Sequence, residues 1–266
     1  MTRLLVLGNS HAGALKQGET QFLSEYTGVE IGYFVASEPA FSSGAVDTNG
    51  IYRPVFKKPG AEQTFADLNG SVDIDLNAWD RVLVTGIRAP LHNIANTLGE
   101  FDLVECAGRE CSALISTGFL EDFIDHEAQT TVEGWRAVVG PSFGGVITMA
   151  PMPSEAITTT SNKLDRRARA SRILALHPLA SRIYTHWTNC LRNAADAAGL
   201  CLLLQPQSTI AAPFLSFSDL AVEPAEGSGE TIPHTDFVHM NHKYGLAVWQ
   251  EFASTYLNIK PSAAQA

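Results

Sequence analysis

The chain has no long apolar run. None of its hydrophobic stretches approaches the roughly 20 residues that a helix needs to cross a bilayer. The apolar stretch behind Met1 is also too short for the hydrophobic core of a secretory leader. Cysteine is scarce: there are four in 266 residues, Cys106, Cys111, Cys190 and Cys201, with no Cys-x-x-Cys pair. That excludes a disulfide-dense scaffold and a thiolate zinc module. Reduced thiols packed as small hydrophobes in a cytoplasmic protein are expected instead, with Cys106–Cys111 as the minor alternative of a local bridge. Positive charge is in deficit too, with 18 Lys and Arg against 28 Asp and Glu and a net charge of −10. A surface of that sign repels nucleic-acid phosphates and anionic lipid, so neither nucleic acid nor membrane is expected as a partner. No repeat and no linker divides the sequence.

What is present is a large apolar fraction, 45% of the chain, delivered in short bursts. Leu4-Leu5-Val6-Leu7, Val29 through Ala36, Trp79 through Gly86, Gly145 through Ala150 and Leu200 through Gln205 each read as a nearly continuous apolar strand. Helical patterns separate them: residues 91–101, much of 113–139, and 162–198 with a break near Pro178. The last helix begins near Lys243, with Leu246, Trp249, Ala253 and Tyr256 at helical spacing. Strands buried on both faces and alternating with helices predict an α/β protein, a three-layer flavodoxin-like sandwich with a five-stranded parallel sheet. One such domain is expected over residues 1–259, with a flexible tail at 260–266 and an acidic Gly/Pro/Ser loop at 222–233. Residues 50–77 read as a small β-hairpin insertion, because Asn69-Gly70 lies between apolar residues that alternate at Val72, Ile74 and Leu76. Tyr52, Phe56 and Phe65 on that insertion are either its own core or the lining of a site.

The chemistry concentrates at the two ends. After the first strand the chain reads Gly8-Asn9-Ser10-His11 and then opens a helix. A turn there sits at the carboxyl edge of a parallel sheet, where open α/β folds bind ligands. Ser10 is then an ordinary helix N-cap or an exposed hydroxyl poised for attack. Far away, Asp236-Phe237-Val238-His239 precedes the last helix. Carboxylate and imidazole three residues apart fall on one side of a turn. The carboxylate then holds one ring nitrogen while the other faces a hydroxyl. A rival use of the same segment is a metal site from His234, Asp236, His239 and His242.

Together, the Gly-Asn-Ser turn and the terminal Asp-x-x-His resemble the SGNH (GDSL-type) hydrolase superfamily; the middle of the chain carries little of the likeness. The resemblance implies Ser10 as nucleophile, His239 as base and Asp236 as the group orienting it, acting on short acyl esters, often carbohydrate-linked, without a cofactor or a metal. It also implies oxyanion donors: the Ser10 N–H, a glycine after the second strand, and an asparagine in Gly-x-Asn after the third. Gly44 is the nearest candidate glycine. After the third strand this chain reads Gly86-Ile87-Arg88, so either Arg88 or the nearby Asn93 replaces the amide, or the site is altered. His11 is a lining residue or a buried structural histidine. The one dense basic run, residues 163–172, is a solvated helix face or a surface for an anionic substrate or carrier. Three functions remain open at this point. They are a serine esterase or acyl-transferring enzyme acting on a small-molecule or carbohydrate ester, a non-catalytic carbohydrate-binding or assembly protein, and a metal-dependent hydrolase using the histidine array. The oligomeric state is not legible.

Overall fold

A computed structural model describes residues 1–106, 113–161, 163–222 and 236–257. The chain begins with β1 (Thr2–Gly8), α1 (Ala12–Glu25), β2 (Val29–Val35) and the short α2 (Glu38–Ser42). Next come β3 (Ala45–Val46), β4 (Ile51–Arg53), α3 (Ala61–Asn69) and β5 (Ile74–Asp75). They are followed by β6 (Arg81–Ile87), α4 (His92–Glu100), β7 (Asp102–Leu103), β8 (Leu114–Ile115) and α5 (Thr117–Val139). The second half contains β9 (Val146–Met149), α6 (Arg166–Ala175), α7 (Ala180–Ala197) and β10 (Cys201–Leu203). A small β11 (Ile210–Ala212) and β12 (Leu215–Ser216) pair precede α8 (His242–Phe252).

Five strands form one parallel sheet in the order β2-β1-β6-β9-β10. Numbered within the sheet alone, that is 2-1-3-4-5, the flavodoxin-like order, whose ligand crevice lies between the first and third strands. Successive residues of β1 point to opposite faces. Leu4 and Val6 pack with α1 and α8, while Leu5 and Leu7 pack with the side of α4, α5 and α7. This is the expected three-layer sandwich; the central strands β1, β6 and β9 are buried almost throughout, and the edge strands β2 and β10 only in part.

The insertion has the expected antiparallel β pairing, but Asn69-Gly70 is not its turn. Residues 61–69 are helical, and Asn69-Gly70 ends that helix rather than turning between two strands. Gly70 has φ 75° and its N–H returns to Ala66 O at 2.8 Å, so the same dipeptide serves as a left-handed helix cap. The Asn69 amide then pairs with the backbone of Val35, accepting at 2.9 Å and donating at 3.2 Å, which covers the edge of β2. β3, β4 and β5 make a three-stranded antiparallel sheet. The aromatics of this region join the main core on the Leu5 and Leu7 side of the sheet. Phe65 meets Phe34 edge-on at 5.0 Å, and the buried Tyr52 donates to Phe41 O at 2.9 Å.

The first and last described helices touch through glycine. A Cβ on Gly18 would come within 2.6 Å of Leu246 N, and one on Gly245 would collide with the Ala14 carbonyl. The buried Trp249 ring donates to Leu15 O at 2.9 Å across the same contact. This close packing brings the segment before α8 over the segment before α1. Among the described residues no helix is long and apolar enough to cross a membrane.

Candidate active site

β1 ends at Gly8, where any side chain would strike Thr85 on β6. The next residue, Asn9, is buried and acts as a pin. Its amide donates to Gly86 O at 2.9 Å, and its carbonyl accepts the His11 N–H at 3.1 Å. Gly86 has φ 81°, and a Cβ at that position would overlap the Asn9 amide. Two distant glycine positions and one asparagine therefore fix the turn that follows. Ser10 stands exposed on it and does not cap α1; the N-cap position belongs to His11, whose side chain makes no capping bond.

Ser10 Oγ lies 2.9 Å from His239 Nε2. His239 Nδ1 lies 2.8 Å and 3.0 Å from the two Asp236 carboxylate oxygens. With Nδ1 protonated toward Asp236, Nε2 is left to accept the Ser10 hydroxyl. Asp236 also accepts from the peptide N–H groups of His239 at 3.0 Å and Val238 at 3.3 Å. Burial raises the Asp236 carboxyl, but the His239 N–H, the His239 ring and the Val238 N–H together outweigh it and hold the group below its ordinary value. Asp236 is therefore a carboxylate at neutral pH.

These residues open onto a cleft of about 400 Å³ at the carboxyl edge of the sheet, beside the β1/β6 switch point. Its floor is apolar, with Met149, Met152, Ala170 and Trp187. One wall carries Arg88, Arg166 and Arg167. Arg88 bridges to Glu38 at 3.2 Å with its side chain 64% exposed. His11 lines the cleft with its ring 5.0 Å from that of His239. Its Nε2 lies 3.3 Å from Arg167 Nη1, and its Nδ1 is buried without a partner. Burial, reinforced by the charges of Arg167, His239 and Arg88, lowers His11 to about 2. His11 is thus neutral, and its Nε2 is the acceptor for Arg167.

Two of the candidate oxyanion donors lie elsewhere. Gly44 does not line the cleft. Its N–H donates to Phe41 O at 3.1 Å, and it packs against Tyr52 and Pro54 inside the insertion. Asn93 sits on α4 and donates to Glu127 at 2.8 Å, lining a separate cavity behind Arg88. Nor do Tyr52, Phe56 or Phe65 reach the cleft. Of the histidine array, His234 lies outside the described residues, as do Cys111 and most of the acidic loop. Both nitrogens of His239 are already engaged, and His242 is exposed. Among the described residues, the donors near enough to share an ion are Asp125, His186 and Cys190, between α5 and α7 rather than at the cleft. Asn9, the middle of the Gly-Asn-Ser turn, and Arg167, within the basic run, carry the architecture of the site without having been given a role of their own. The glycine after β6 and the arginines opening a helix were the available signals.

No family model and no curated protein matches the sequence. Similar solved structures include a GDSL-like lipase from Bacteroides thetaiotaomicron, 9% identical over 97% of this chain and 88% of that one, with a TM-score of 0.39. An extracellular lipase from Streptomyces rimosus is 14% identical, covers 93% of this chain and 98% of its own, and has a TM-score of 0.38. A carbohydrate acetylesterase family member from Sinorhizobium meliloti is 11% identical over 96% of each chain, with a TM-score of 0.35. In its sheet order and in the motifs at its two ends, the chain resembles the SGNH (GDSL-type) hydrolases.

Proposed function

We propose that the protein is a serine esterase or acyl-transferring enzyme working through Ser10, His239 and Asp236. The observation that carries this is the unbroken relay from Ser10 Oγ to His239 at 2.9 Å and from His239 to Asp236 at 2.8 Å, opening onto a cleft. A serine hydroxyl is a weak nucleophile until a base takes its proton. Here the imidazole receives that proton as Oγ bonds to the ester carbonyl carbon. It returns the proton to the departing alkoxide as the carbon–oxygen bond breaks. Asp236 fixes the ring and stabilises the imidazolium formed on the way. Water or an acceptor hydroxyl, deprotonated by the same ring, then releases the acyl group and regenerates Ser10.

Gly44 and Asn93 being otherwise engaged, the Ser10 N–H and the Arg88 guanidinium are the remaining oxyanion donors of those considered. The apolar floor suits a short acyl or aryl group. Carbohydrate as the alcohol portion remains an extension of the same reading, carried by the sequence resemblance alone. Labelling with a fluorophosphonate probe followed by peptide mass spectrometry tests the assignment. Modification of Ser10, lost in Ser10→Ala together with hydrolysis of p-nitrophenyl acetate, is the expected result. Full activity in Ser10→Ala would sink it.

A further inference from the structure

The arginine-bearing part of the cleft lining breaks a local rule. α6 opens with Arg166 and Arg167 directly after its N-cap Asp165, and its first turn has no acidic residue. Cations there oppose the helix dipole, and each such placement costs the helix about 0.3–1 kcal/mol. Arg167 is also drawn inward. It donates to the Pro151 carbonyl and to His11, and burial lowers it to about 10, against the opposing pull of Asp165, so that it stays charged at neutral pH. Among the described residues neither Arg166 nor Arg167 forms an ion pair. Arg166 makes no hydrogen bond there either, yet its charge reaches far enough to help depress His92, after burial. A part-buried cation without an ion pair, as Arg167 is, is expensive, and chains tolerate one where a ligand supplies the missing charge. In a protein of net charge −10, three of its 18 basic residues line one cleft. Glu38 and Asp165 line it too, and Glu38 is spent on Arg88, so the local excess of positive charge falls to Arg166 and Arg167.

We propose that the cleft selects esters bearing an oxyanionic group, a carboxylate, phosphate or sulfate, which seats against Arg167 and Arg166 while the ester carbonyl faces Ser10. The proposal rests on the serine esterase reading and adds the substrate class. Arg167 serves as the fixed half of the anion seat. Its fork is held by Pro151 O and by the neutral His11, which accepts without competing for the anion. Arg166, exposed and unbonded, is the adaptable half. Arg88 keeps Glu38 as its own counter-ion and is the least available of the three.

The test compares two esters of matched shape, para-acetoxybenzoate and its neutral amide, para-acetoxybenzamide. The wild-type chain, Arg166→Gln and Arg167→Met are assayed with both. A charge-assisted bond to guanidinium predicts kcat/KM higher for the carboxylate by about tenfold or more. Arg166→Gln should cut that ratio several-fold, lowering kcat/KM for the carboxylate ester more than for the neutral one. Its side chain has no bond to lose, so folding is not at stake; Arg167→Met should bring the ratio near one. In parallel, benzoate, phosphate and sulfate are titrated into Ser10→Ala by calorimetry, which separates the three anions and needs no turnover. Saturable binding weakened by Arg166→Gln in that background is expected. Serine-dependent hydrolysis that ignores charge, with no anion bound, overturns the anion seat and leaves the esterase. Anion binding that depends on Arg166, with neither ester hydrolysed, keeps the seat and removes the esterase.

Discussion

Among the described residues, two places gather an imidazole, a carboxylate and a nucleophilic atom. At the sheet edge they are His239, Asp236 and Ser10, joined at 2.9 Å and 2.8 Å beside a cleft of about 400 Å³. Between α5 and α7 they are His186, Asp125 and Cys190, whose donor atoms all lie within 4.8 Å of one another. The second set has the ingredients without the arrangement. His186 and Asp125 are 4.0 Å apart, and burial followed by the Asp125 carboxylate pushes the Cys190 thiol up to about 12. The cavity beside His186 is about 10 Å³, room for a single water. Composition alone does not make a reactive centre. Direct bonds in series and an adjoining cleft set the first place apart, and both lie at the strand ends.

The sharpest way to break the contrast is to remove the hydroxyl. Ser10→Ala should lower ester hydrolysis by about a thousandfold or more, whereas Cys190→Ala should leave it unchanged; initial rates on p-nitrophenyl acetate decide. Asp236→Asn comes next, with a loss of roughly a hundredfold or more in kcat at an intact fold, because the amide favours the wrong imidazole tautomer. Circular dichroism checks the fold alongside the rate.

Stability effects are smaller. Gly245→Val should cost about 1–3 kcal/mol in a denaturant titration, since its Cβ enters the Ala14 carbonyl and pries α8 from α1. The same variant should lose activity beyond its loss of folded protein, because Ser10 and His239 separate.

His11 gives an effect of similar size with a defined sign. Its folded value of about 2 lies below the ordinary 6.5, so the unfolded chain binds the extra proton between those limits. Stability therefore falls as pH drops below about 6.5, by about 2 kcal/mol between pH 7 and pH 5 for this group. His11→Gln should flatten that part of the profile, read as the difference between two pH series of urea midpoints. Smallest of all, iodoacetamide should alkylate the exposed Cys201 promptly and the buried, protonated Cys190 slowly, as intact-mass kinetics would show.

The five main strands were legible because each is an apolar run with a glycine, proline or polar stop, and burial on both faces demands nothing subtler. Ser10, Asp236 and His239 were legible as candidates because a short motif fixes their spacing on a turn. Asn69-Gly70 misled because two structures want the same dipeptide, a tight hairpin and a left-handed helix cap. Only the tertiary bond from Asn69 to Val35 chooses between them. Gly44 and Asn93 were picked by distance along the chain, and their real partners, Phe41 and Glu127, lie on contacts that sequence order does not encode. Arg167 stood in plain view within a basic run. Its inward direction depends on Pro151 and His11, and no pattern of charges predicts that.

The glycine contact between α1 and α8 is what holds together two side chains that lie 229 residues apart in the sequence. A fluctuation that opens that contact would part the hydroxyl from the imidazole while the sheet stays whole. On the proposed reading, loss of turnover in mild denaturant would therefore report the undocking of two helices before the domain itself unfolds.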